Sequence, residues 1–195
     1  PHKTPRRQRQ MCIRDSTHFQ FALSDPENSG DTDPVDEEEG HLVAQFVPEL
    51  MDFTVLTPRY CRYSKVTVEV SESPVDVDLD DWDHAVECSL ICPSGRIEIW
   101  TPTGDRVYCP VTRELVDNHF DVERGIYRAL ILFANYDATV DRVRANEEEV
   151  EYGTSEIPPD EELNRLDRYH IHFWPVAPVG TRLLKRRKTK TGGEN

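Results

Sequence analysis

His84-Ala-Val-Glu-Cys-Ser-Leu-Ile-Cys92, then Pro93-Ser-Gly95, then Arg96-Ile-Glu-Ile-Trp100, is the stretch on which the reading of this chain turns. Val86, Cys88, Leu90 and Cys92 fall at every second position. An extended strand sends successive side chains to opposite faces, so this spacing gathers them on one face. Ile97 and Ile99 repeat the pattern after the turn. Proline, serine and glycine are the residues a tight turn needs. The segment therefore predicts a hairpin of two strands, 84–92 and 96–100, each apolar on one side.

The same period recurs on either side. Val66, Val68 and Val70 alternate with Thr67 and Glu69 over Lys65–Val70. Phe19, Phe21 and Leu23 share a face of His18–Leu23, and Phe53 and Val55 share a face of Asp52–Thr57. Tyr169, Ile171 and Phe173 do so over Tyr169–Trp174. Gly125–Phe133 is apolar on both faces, with Ile126, Leu130 and Leu132 on one and Tyr127, Ala129, Ile131 and Phe133 on the other. A strand of that kind belongs in the middle of a sheet. His41–Leu50 fits helix or strand. Ser24–Glu39 and Ala138–Asp167 are acidic and carry prolines, so they read as loops, the second with at most a short helix at Glu161–Leu166. Short alternating strands with turn signals, and no internal repeat, predict a mainly β fold: an antiparallel β-sandwich or open barrel with acidic loop insertions.

Charge is distributed in three blocks. The chain of 195 residues carries 37 acids and 23 bases, a net charge of −14. Residues 1–16 and 182–195 together hold 11 of the bases and two of the acids, which leaves 12 bases and 35 acids, a net charge of −23, in 17–181. Such a surface repels nucleic acid and anionic membranes and attracts basic partners. Salt-adapted proteomes produce the same acidity, and Lys65 is the sole lysine among the twelve central bases, a skew that fits such a source. Met11-Cys-Ile-Arg-Asp-Ser16 resembles the translation of a sequencing-adapter end. The expected organisation is thus a non-native basic segment at 1–16, one β-sandwich domain at 17–176, and a basic disordered tail at 177–195.

No apolar run approaches the roughly 20 residues of a membrane helix. Cys88 and Cys92, four apart on one strand, would lie about 13 Å apart, too far for a disulfide. No cysteine pair has metal-type spacing. Buried, reduced thiols point to a cytoplasmic location. Nucleophile elbows and phosphate loops are absent, so the expectation is a protein that is not an enzyme and uses no cofactor.

Two constellations stand out. In Asp76-Val-Asp-Leu-Asp-Asp-Trp-Asp83, residues Asp76, Asp78, Asp80 and Glu87 occupy positions 1, 3, 5 and 12 of a calcium loop. Position 6, which requires glycine, is Asp81, and no helix flanks the segment. Asp76, Asp78, Asp80, Asp81 and Asp83 are accordingly read as candidate partner contacts, with a looser calcium-dependent binding module as the alternative. His170 and His172, two apart on one strand, point the same way. The sequence supplies no third ligand, so no metal is assigned and the pair is expected to be solvated or at a sheet edge.

Taken in order, the His18-Phe-Gln-Phe21 strand, Phe53–Val70, Trp82-Asp-His-Ala-Val-Glu87, Pro93-Ser-Gly95, Gly125-Ile-Tyr127, Arg168-Tyr169 and Phe173-Trp-Pro175 resemble a group of small bacterial β-proteins. In layout they also resemble the competence protein J family of DNA-entry nuclease inhibitors. The resemblance spans about residues 17–176. It implies an intracellular β-sandwich that binds and blocks a nuclease, and the central charge adds the expectation of a basic protein partner and no direct nucleic-acid binding by the acidic domain. The insertions at 24–40 and 138–167 depart from the compact pattern, so no partner residue is carried over.

Overall fold

The computed structural model describes residues 7–15, 20–27, 42–44, 50–58, 62–101, 107–109, 112, 114–145, 161, 164–177 and 182–186. Within them lie β1 (Arg7–Asp15), β2 (Gln20–Ser24), β3 (Val43–Ala44), β4 (Asp52–Leu56), β5 (Arg62–Val70) and β6 (His84–Cys92). There follow β7 (Arg96–Trp100), β8 (Val107–Tyr108), β9 (His119–Asp121), β10 (Gly125–Ala134), α1 (Tyr136–Ala145), β11 (Arg168–Pro175) and β12 (Arg182–Lys185).

The strands form two sheets, ordered β12-β6-β10-β11-β5-β1-β8 and β3-β4-β2-β7-β9. The architecture is a sandwich, as the alternation predicts. Every strand pair described is antiparallel except β5 with β11, which run parallel with Val68 opposite Ile171. The seven-stranded sheet is therefore mixed. The core lies between the sheets. Phe21, Leu23, Phe53 and Val55 face it from the smaller sheet, and Val66, Val68, Cys88, Leu90, Ile131, Phe133, Tyr169 and Phe173 from the larger. Phe21 meets Tyr169 edge-on with ring centroids 5.1 Å apart, and Phe53 meets Phe173 at 6.2 Å. Among the described residues no helix is long and apolar enough to cross a membrane.

The Pro93–Gly95 turn corrects the hairpin expectation. β6 pairs with β10 and β12, whereas β7 pairs with β2 and β9 in the other sheet. The turn is a corner that carries the chain from one sheet to the other. Both strands are apolar on one face, and folding those faces toward each other buries Leu90 and Cys92 against Ile97 and Ile99 in one core. Edge-to-edge pairing would have laid the two faces side by side. Gly95 adopts φ +78°, and a Cβ there would stand 3.1 Å from the Val122 carbonyl oxygen. Asp25, fully buried at the end of β2, holds the corner. Its carboxylate accepts hydrogen bonds from the Ser94 backbone N–H (3.0 Å), Ser94 Oγ (2.7 Å) and the Glu27 N–H (2.8 Å). Burial alone would raise the Asp25 carboxyl, but these donors favour the charged form and hold it below its ordinary value.

Three further expectations change. Residues 7–15 form a full strand along the outer edge of β5, with Met11 opposite Val66, rather than standing outside the fold. The physical reason is that β5 would otherwise present a row of unpaired N–H and C=O groups. Part of the basic C-terminal segment is likewise a strand: β12 pairs with β6 and forms the opposite edge of that sheet. The polar stretch after β10 begins with helix α1. Asn135, at φ +61°, turns the chain out of β10, a conformation that asparagine tolerates better than most residues. Tyr136 and Val140, one helical turn apart, then pack on the core. The Glu161–Leu166 expectation falls partly outside the described residues.

Two outcomes follow from these contacts. Asp25→Asn removes a charged acceptor of three hydrogen bonds and is expected to cost about 2–3 kcal/mol at pH 7. Because the folded-state pKa is depressed, that stabilisation exists above the unfolded value of 3.8 and fades as pH falls through the lower folded value. The wild-type–variant gap in urea midpoint should narrow from pH 7 to pH 3, and a gap independent of pH would contradict the assignment. Removing residues 1–16 uncovers the β5 edge. The expected result is a melting midpoint lower by several degrees with self-association visible in sedimentation, and an unchanged midpoint would show that β1 contributes nothing.

Candidate functional site

The outer face of the seven-stranded sheet, away from the core, holds the candidate site. Strand register fixes what meets there. Glu87, Leu130, His172 and Glu69 stand side by side on β6, β10, β11 and β5. Ala85, Leu132, His170 and Thr67 form the next row. Ala85, Leu130, Leu132 and Trp174 make a second, smaller apolar cluster on this face.

The segment from Ser71 to Asp83 crosses over that cluster as a strap. Its ends are tied to the sheet by hydrogen bonds from the Ser71 N–H to the Phe173 carbonyl and from the Asp83 N–H to the Phe133 carbonyl, both 2.9 Å. Alternation again assigns the sides. Val77 and Leu79, with Trp82, pack down on the cluster. Asp76, Asp78, Asp80 and Asp81 are exposed. A short 3-10 turn at Leu79–Asp81 is capped by Asp78, whose Oδ1 accepts from the Asp80 N–H at 2.9 Å. The strap is thus an apolar-anchored rail that presents carboxylates outward.

The five aspartates do not share one role. Asp83 Oδ2 accepts from the Tyr136 N–H at 3.2 Å, at the positive end of α1, and so serves the fold. Asp80 lies 3.8 Å from Lys185 Nζ, which also donates to the Leu79 carbonyl at 2.6 Å. Lys185, at the end of β12, therefore reaches the acidic strap. Asp81 stands on the wall of a groove with Lys65, Trp82, Arg168 and His170. Asp76 and Asp78 remain on the open side. The calcium-type spacing does not produce a cage. The group of three metal-competent side chains among the described residues is a different one, Glu69, His170 and His172.

The histidines are not solvated or at a sheet edge, because β11 lies between β10 and β5. His172 is buried, and the His170 side chain is 22 % exposed. Their rings stack at 4.1 Å, and the Trp82 ring meets His170 edge-on at 5.9 Å. Glu69 Oε2 lies 3.5 Å from His170 Nε2 and 3.7 Å from His172 Nδ1. Sequence reasoning placed Glu69 on the outer face of its strand but could not join it to the histidines, because a parallel register across a hundred residues leaves no local signal.

Cys88 and Cys92 are buried free thiols. Burial raises both, Cys92 to about 12, with the Asp25 carboxylate adding to the rise. Such thiols carry little thiolate at neutral pH and are poor nucleophiles.

No protein-family model matches the chain, and no curated protein matches it in sequence. Two solved structures are similar in fold. One is ComJ from Bacillus subtilis, described as the inhibitor of the DNA-degrading activity of NucA. It is 12% identical, with a TM-score of 0.50, over 87% of this chain and 96% of that one. The other is described as crocagin biosynthetic gene J, 18% identical, with a TM-score of 0.49, over 88% of this chain and 99% of that one. At these identities the likeness to ComJ is one of fold.

Trp82 pins the strap by one half-buried ring. Trp82→Ala is expected to cost about 2–3 kcal/mol, below the range for a wholly buried aromatic. Urea denaturation measures it, and an unchanged midpoint would mean that the strap is held by its ends alone.

Proposed function

We propose that this chain is a non-catalytic intracellular binding protein of the nuclease-inhibitor kind, which engages a basic protein partner through the acidic strap. The observation that carries the reading is the two-sided strap itself. Val77, Leu79 and Trp82 anchor it to the sheet, and Asp76, Asp78, Asp80 and Asp81 stay exposed on its outer side. Holding several carboxylates on a fixed rail lowers the ordering cost of meeting a cationic cleft. The net charge of −23 over 17–181 would steer encounter with such a partner and disfavour direct contact with DNA. A fold shared with an inhibitor of a DNA-degrading activity supports the reading at the level of architecture.

The test is plasmid cleavage by a basic endonuclease encoded beside this protein's gene, with and without the full chain. Inhibition at micromolar protein, with no cleavage by the protein alone, is expected. Replacing Asp76, Asp78, Asp80 and Asp81 by Asn should slow association by about tenfold or more and change dissociation less, because rim charges act mainly on the on-rate. Raising salt from about 50 to 500 mM should weaken binding as screening shortens. Absence of inhibition would remove the reading for that partner, and inhibition untouched by the four substitutions would move the contact surface off the strap. Asp83 is left intact because its loss would disturb α1.

A further inference from the structure

The buried group beneath the strap is not used by the proposed surface, and it has chemistry of its own. We propose that Glu69, His170 and His172 form a binding site for one divalent transition-metal ion of the zinc class. Each residue offers one ligand atom, and the three atoms lie within 4.8 Å of one another. A tetrahedral site with metal–ligand bonds of about 2.0–2.1 Å sets ligand–ligand edges of about 3.3–3.4 Å. The two edges through Glu69 Oε2 are 3.5 and 3.7 Å, close to that value, and the stacked histidine rings must turn apart for both lone pairs to meet one centre. Two imidazoles with one carboxylate favour a borderline cation over calcium or magnesium, which take mostly oxygen.

The surroundings fit the same occupant. The Glu69 side chain is 1 % exposed and its histidine neighbour His172 is 3 % exposed, so a carboxylate is held out of water beside two imidazoles. The ligands come from adjacent strands, Glu69 directly opposite His172, so the backbone sets their spacing before any ion arrives. Three protein ligands leave a fourth position. His170 is the more exposed histidine and lines the groove with Thr67, Trp82 and Tyr169, which gives an ion its approach from that side, while the Nε2 that would bind it is itself shielded from solvent.

The experiment uses the full chain, stripped with chelator and dialysed, then titrated with Zn²⁺ by calorimetry and with Co²⁺ by NMR. One equivalent of Zn²⁺ should bind with micromolar or tighter affinity, and a hundredfold excess over Kd should raise the melting midpoint by about 5–10 °C. Glu69→Gln and His172→Gln should each weaken binding by about 100-fold or more, whereas His119→Gln on β9 should leave it unchanged. Should either cluster variant fail to fold, the wild-type protein decides alone: Co²⁺ should broaden the backbone amides of Glu69, His170 and His172 first. Folded wild-type protein that takes up no saturable Zn²⁺ would overturn the site. Binding that persists in His172→Gln, or broadening centred elsewhere, would overturn it equally.

Discussion

The parallel pairing of β5 with β11 is the constraint on which the rest depends. It joins segments about a hundred residues apart, so a large loop must close before the pairing returns any energy. Asp167, fully buried at the start of β11, secures it. Its Oδ2 accepts from Ser64 Oγ on β5 and from the Tyr169 hydroxyl, both at 2.9 Å. That junction sets the register, and the register sets both faces of the sheet. On the inner side it aligns Val66 with Tyr169 and Val68 with Ile171 in the core. On the outer side it brings Glu69 beside His172. A slip of β11 by one residue would turn His170 and His172 toward the core and send Tyr169, Ile171 and Phe173 to the outer face, parting His172 from Glu69.

A sheet that forms a sandwich with one face must still cover the other, and here the chain uses its own acidic segment as the cover. The strap buries Val77, Leu79 and Trp82 over Leu130, Leu132 and Trp174, and its aspartates remain in water. Apolar anchoring and exposed charge are thereby divided between neighbouring residues of one short stretch. Lys185 on β12 shows that the strap already accepts a cation from its own chain. One carboxylate near an ammonium at 3.8 Å with Asp80 98 % exposed contributes little stability. A basic partner could therefore compete with that contact at small cost.

Much of this architecture was legible from period-two alternation alone. His84–Cys92 and Arg96–Trp100 match the strands to the residue, and Gly125–Phe133 is central and buried on both faces as its two apolar sides require. The failures share a cause. Which edges meet is decided by distant segments, so 93–95 read as a hairpin turn when it is a corner between sheets. β1 and β12 exist through edges they complete rather than through apolar patterns of their own. Helix α1 is short and polar, and is held by Asn135, Asp83 and the core rather than by propensity. In the site, the exposure of Asp76, Asp78 and Asp80 could be read from their alternation with Val77 and Leu79, whereas Asp81 faces out because the 3-10 turn at Leu79–Asp81 breaks that alternation. The engagement of Asp83 with Tyr136, and of Glu69 with the histidines, could not, because each spans elements far apart in the chain.

We propose that the outer side of the strap is the surface that meets a partner. Amide hydrogen exchange on the full chain, alone and mixed with the basic endonuclease of the proposed function, tests this at single-segment resolution. Slowed exchange centred on residues 76–82, with the β9 edge at 119–121 unchanged, is the expected pattern. Slowing confined to β9 or to the corner at 93–95, with the strap unaffected, would contradict it.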